Sequence, residues 1–111
     1  MLTIGGTTRV FLAIQPVDLR GSFNRLYGYV AEVLRADPQS GHWFVFTNKA
    51  RSRIKVLVYD GTGLWVLNKR LSAGRFSWPS SEQASLCLRN EEFGALVNGL
   101  EVIAKKNWHR Q

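Results

Sequence analysis

The chain has 111 residues, enough for one domain with a modest core. Hydrophobic residues make up 45% of it, which excludes a disordered tail protein. The 15 Lys and Arg against 8 Asp and Glu give a formal charge of +7, which points to phosphate polymers or other anionic surfaces as partners.

Cys87 is the single cysteine, so no internal disulfide is expected, in keeping with a reducing compartment. The first six residues lack the charged start and apolar run of a signal peptide. No apolar run approaches the ~18 residues of a membrane span. The expectation is a cytoplasmic, single-domain protein over 1–111, with flexible ends at 1–8 and 105–111.

In chain order, 10–14 is a short apolar run closed by Gln15-Pro16, and it predicts a strand. Asp18 is placed to cap a helix over about 18–36. Phe23, Leu26, Tyr27, Val30, Val33 and Leu34 fall on one face at helical spacing. Asp37-Pro38-Gln39-Ser40-Gly41 ends it with turn residues. Three strands then follow within 42–71, separated by the polar turn 48–52 and the loop Asp60-Gly61-Thr62-Gly63. Such short connections predict an antiparallel meander. The segment 85–89 reads as a further strand or as helix. Asn90, Glu91 and Glu92 suit the start of a helix over about 90–99, with Phe93, Leu96, Val97 and Leu100 on its buried face and Gly99 closing it. The expected class is α+β: an antiparallel three- to five-stranded sheet packed by two helices.

The charge is not spread evenly. Between positions 49 and 75 lie Lys49, Arg51, Arg53, Lys55, Lys69, Arg70 and Arg75, opposed only by Asp60. Strand alternation puts Arg53 and Lys55 on one face with Leu57 and Tyr59, and Ile54, Val56 and Val58 on the other. If the next strand pairs across the 60–63 loop, Lys69 or Arg70 comes near them. Like charges facing each other on a sheet are unfavourable, so such a concentration calls for an external counter-charge, and phosphate is the simplest. A solvated hairpin guarded against edge pairing is the plainer alternative. Trp43, Trp65, Phe76 and Trp78 lie nearby. Core is the commoner fate for such residues, and Trp78, beside Pro79, is the best candidate for stacking on a base. Trp108 in the basic tail is another. The candidate nucleic-acid-binding residues are therefore Lys49, Arg51, Arg53, Lys55, Lys69, Arg70, Arg75 and Trp78.

Chemistry-bearing constellations are not evident. Asp18, Asp37 and Asp60 each have a cap or turn role, and Glu32 falls on a helix surface. His42, His109 and Cys87 have no zinc-ligand spacing, and no phosphate-cradling glycine loop occurs. The sequence therefore predicts no enzyme, no metal and no cofactor.

Three stretches carry a resemblance. They are Asp37-Pro38-x-Ser40-Gly41-His42-x-Phe44-Val45-Phe46-x-Asn48, Arg53-Ile54-Lys55-Val56-Leu57-x-Tyr59-Asp60-Gly61-x-Gly63, and Lys69-Arg70-Leu71-x-x-Gly74-Arg75-Phe76-x-Trp78-Pro79. With Pro16-x-Asp18-x-Arg20, the chain from about 9 to 103 resembles the TnpB (Orf2) accessory proteins of the bacterial insertion-sequence family sixty-six. Leu19-Arg20-Gly21-Ser22 stands where that family more usually has a methionine and a further basic residue. The resemblance implies a role in transposition beside a separate transposase that carries the chemistry. It implies three partners: the transposase, a second small accessory protein, and the DNA of the element's ends. An adaptor that docks on the transposase without touching DNA is the alternative reading, and a small nuclease is a remote one.

Overall fold

The computed structural model describes residues 5–21 and 23–99. They form β1 (Val10–Ala13), α1 (Phe23–Glu32), β2 (Trp43–Thr47), β3 (Arg53–Tyr59), β4 (Leu64–Arg70), β5 (Ser85–Leu88) and α2 (Asn90–Val97). The class is α+β, as the sequence predicts. The five strands form one sheet in the order β4-β3-β2-β1-β5.

The sheet is mixed, and this corrects the antiparallel expectation. β1 and β2 run parallel, with Val10 opposite Trp43 and Leu12 opposite Val45. The other pairs are antiparallel. A tight loop can only reverse a strand. The connection from β1 to β2 instead runs through α1, long enough to bring the chain back in the same direction. The segment 85–88 resolves to strand and pairs with β1 along its length.

Both faces of the sheet are covered, which explains the unbroken apolar run Phe44-Val45-Phe46 in a central strand. One face packs Phe44, Phe46 and Leu57 against Leu26 and Val30 of α1 and against Val17 and Leu19. The other packs Val10, Leu12, Val45, Ile54, Val56 and Val58 against Leu96 of α2 and against Phe76 and Trp78. A Trp side chain buries a large apolar surface and then requires a partner for its N–H. Trp78 finds one in Ala13, whose carbonyl accepts from Nε1 at 2.9 Å.

Both helices are shorter than expected. Asp18 does not cap α1: it lies in the preceding loop and accepts from the backbone N–H of Arg20. That local turn competes with helix formation, so α1 begins only at Phe23. Phe23 and Val33, placed on the buried face by spacing, are about half exposed, at 46% and 45%. In α2 the N-cap position is Arg89 rather than Asn90. Its backbone N–H donates to Glu92 Oε1 at 2.8 Å, half of a capping box. Gly99 closes α2 at φ +78°, donating to Leu96 O. Leu100, Trp108 and the ends 1–4 and 105–111 lie outside the described residues.

Candidate nucleic-acid interface

The carboxyl ends of the parallel strands β1 and β2 open into two loops, 14–21 and 48–52. The first loop stays with β2 because Val17 N donates to Thr47 O at 2.9 Å. It is tied to β3 as well: Lys55 Nζ donates to Leu19 O at 2.6 Å. The second loop is built on Asn48, whose Oδ1 accepts from the backbone N–H groups of Ser52 and Arg53. Arg51 takes a left-handed conformation there, at φ 58°. Thr47 Oγ1 donates to Arg53 O at 2.9 Å and completes the turn from the β2 side.

Between the two loops lies an open cleft of about 900 Å³. Pro16 to Arg20 form one wall, Asn48 to Ala50 the other, and Arg53, Lys55 and Asn68 the floor. Four of the lining residues are cations, Arg20, Lys49, Arg53 and Lys55, against the single carboxylate of Asp18. Arg20 grips that carboxylate with Nε at 3.0 Å and Nη2 at 2.9 Å. The pair holds Asp18 well below the usual carboxylate range, through the Arg20 side-chain hydrogen bond first and its backbone N–H second. The carboxylate is thus already engaged, and Lys55 Nζ is bonded to Leu19 O, which leaves Lys49 and Arg53 as the exposed cations of the cleft.

The β3–β4 register decides where the other basic residues go. Arg70 stands opposite Arg53, and Asn68 opposite Lys55, so Arg70 extends the cationic floor beyond the cleft. Lys69 stands opposite Ile54 and therefore occupies the other face of the sheet. Its Nζ donates to Val97 O at 2.6 Å, at the carboxyl end of α2. A cation there offsets the helix dipole and satisfies a terminal carbonyl. Lys69 is a helix-capping residue in this fold.

Of the other expected site residues, Arg51 and Arg75 are exposed at the far side of the 48–52 turn and in the 71–79 segment, and Phe76 N donates to Arg51 O at 2.7 Å. Trp78 is corrected outright: it is 8% exposed and packed against Val10 and Leu12, so it offers no stacking face. Among the described residues, Trp65 is instead the exposed tryptophan, at 48%. Arg20 is the site residue the charge count passed over. It lies far from 49–75 in sequence, and only the Pro16-x-Asp18-x-Arg20 motif hinted at it.

Among the described residues, no three His, Cys, Asp or Glu side chains cluster to hold a metal ion. No helix among them is long and apolar enough to cross a membrane.

The fold and the cleft define a small α+β domain with a cationic opening at the carboxyl ends of a parallel strand pair. The chain belongs to the IS66 Orf2-like proteins, whose family model matches residues 8–107. Membership places it among the accessory proteins of IS66 transposition, which are not known catalysts. It is 37% identical to the uncharacterized protein y4hO of Sinorhizobium fredii over 101 residues, 91% of this chain and 88% of the relative. It is 39% identical to y4jC of the same organism over 93 residues, 84% of this chain and 80% of the relative. No solved structure matches.

Proposed function

We propose that this protein is a non-catalytic accessory factor of transposition that binds the DNA of the element's ends. The contact is made through the face carrying Arg20, Lys49, Arg53, Lys55 and Arg70. The transposase and a second small accessory protein work beside it. The observation that carries this reading is the convergence of four cations on one cleft, with the only lining carboxylate paired to Arg20. Arginines offer forked donors to phosphate and to guanine, and lysines act as point charges. A floor of facing cations is unfavourable in the free protein, and phosphate removes that penalty on binding.

The test is a binding titration with duplex DNA of the element's ends at several salt concentrations. About five phosphate contacts give a log–log salt slope of roughly −4 to −5. Replacing Arg20, Lys49, Arg53 and Arg70 together with Ser abolishes binding while the circular dichroism spectrum stays native. Lys55 is kept because it ties the 14–21 loop in place. No binding by the unaltered protein at low salt rejects the reading, and so does full binding by the quadruple variant.

A further inference from the structure

β4 is an outer strand of the sheet, seven residues long. Its pairing to β3 runs without a break from Arg53↔Arg70 to Tyr59↔Leu64. It has no proline and no bulge, two of the devices that usually blunt an edge.

The ladder is anchored at both ends. Leu71 N donates to Ser52 O at 3.1 Å, and Asp60 N donates to Gly63 O at 3.0 Å. Hydrogen-bonded and non-hydrogen-bonded positions alternate along an antiparallel pair. Trp65, Leu67 and Lys69 therefore turn their backbone groups in towards β3. Leu64, Val66, Asn68 and Arg70 turn theirs out to the free edge. Among the described residues, no backbone group outside the ladder pairs with these four.

Charge complementarity identifies the occupant. Trp65 is 48% exposed, and its Nε1 donates to Asp60 Oδ2 at 2.7 Å, so a carboxylate backs the indole at one end of the strand. Lys69 lies at the other end, on the same face of the sheet as Trp65. It is exposed, and its Nζ donates to Val97 O of its own chain.

We propose that this edge pairs with β4 of a second copy of the chain, antiparallel, about a two-fold axis beside Leu67. Val66 then hydrogen-bonds with Asn68 of the second copy, and Leu64 with its Arg70. Leu67 faces its own counterpart. Trp65 faces Lys69 of the second copy at a non-hydrogen-bonded position, where Cα atoms approach to about 4.5 Å. On pairing, Lys69 turns its Nζ from Val97 O to the indole face and carboxylate of the second copy, and the symmetry makes the contact twice. A slip of two residues in either direction loses both contacts, so the same side chains that favour pairing also set its register. The result is a continuous ten-stranded sheet with both cationic faces on one side.

The test needs no DNA and so stands apart from the proposed function. Sedimentation equilibrium of the full chain gives a dimer at micromolar concentration. In a Cys87→Ser background, Leu67→Cys forms an intermolecular disulfide on mild oxidation, since a Cα separation near 4.5 Å is within bridging range. Trp65→Cys alone forms none, whereas Trp65→Cys mixed with Lys69→Cys does. Lys69→Glu sets a carboxylate against Asp60 of the second copy and weakens the dimer at least tenfold. A monomer at high micromolar concentration overturns the proposal. So does cross-linking that is equal at all positions or absent at Leu67, in protein whose circular dichroism is native.

Discussion

Arg53 and Arg70 stand directly opposite each other across β3 and β4. The pair is a non-hydrogen-bonded one, because the neighbouring Leu71–Ser52 pair carries the hydrogen bond. Two guanidinium side chains thus rise from the closest type of cross-strand position, on the face that also bears the cleft.

This juxtaposition predicts a trade between stability and binding. Arg53→Ser relieves the repulsion and raises the unfolding free energy by about 0.5 kcal/mol, a small sum because both groups are solvated. The same change weakens DNA binding and makes the salt slope less steep by about 0.9. Chemical denaturation and a salt titration of affinity check the two arms. A loss of stability with unchanged binding contradicts the interface.

Arg51 holds a left-handed conformation that costs a non-glycine residue about 1 kcal/mol. Arg51→Gly is expected to raise stability by about that amount. Its carbonyl, which accepts from Phe76 N, is retained. Urea denaturation measures the gain, and an unchanged or lowered midpoint contradicts the backbone argument.

Trp78→Phe keeps most of the buried ring and removes the N–H that donates to Ala13 O. The orphaned buried carbonyl costs about 1–2 kcal/mol. DNA affinity at low salt is expected to stay the same, because the ring is enclosed in the core. A large drop in affinity with a native melting curve restores Trp78 as a contact residue.

The 60–63 loop is predicted to be acid-sensitive. Asp60 accepts from Thr62 N, Trp65 Nε1, Thr62 Oγ1 and Gly63 N, and these bonds, led by the Thr62 backbone N–H, hold its carboxyl well below the ordinary 3.8. A carboxylate depressed in the folded state stabilises the fold above its unfolded pKa, and that contribution is lost as pH falls towards the folded value. The stabilisation from these bonds is therefore full at neutral pH and declines below about pH 4, while the loop itself loosens only as Asp60 protonates, well below that. The carboxyl carbon shift of Asp60, followed by NMR titration, reads this directly. A midpoint at or above the ordinary value contradicts it. If the dimer forms through Trp65, it weakens over the same range.

Much of this was legible in the residues. Side-chain alternation is a property of the extended backbone, so it placed Arg53 and Lys55 opposite to Ile54, Val56 and Val58 without any knowledge of neighbours. The strand positions, the two helices and the basic segment followed from the same local rules. The family resemblance rested on motifs in the chain, and the family model covers the same stretch.

What the sequence could not decide were relations between distant segments. Register is set by hydrogen bonds between strands, and it sent Lys69 to the helix face and Arg70 to the cleft face. The parallel pairing of β1 with β2 depends on α1 carrying the chain back across the sheet. Trp78 is buried because Ala13, far away in the chain, lies where its indole N–H needs a carbonyl. Arg20 joins the site only because Lys55 and Thr47 hold the 14–21 loop over the strand ends. The sequence by itself determined that this protein would be a small α+β domain with a concentrated positive charge, since period and composition are local quantities. The tertiary structure alone decided which of those charges converge, because convergence is set by non-local hydrogen bonds and packing.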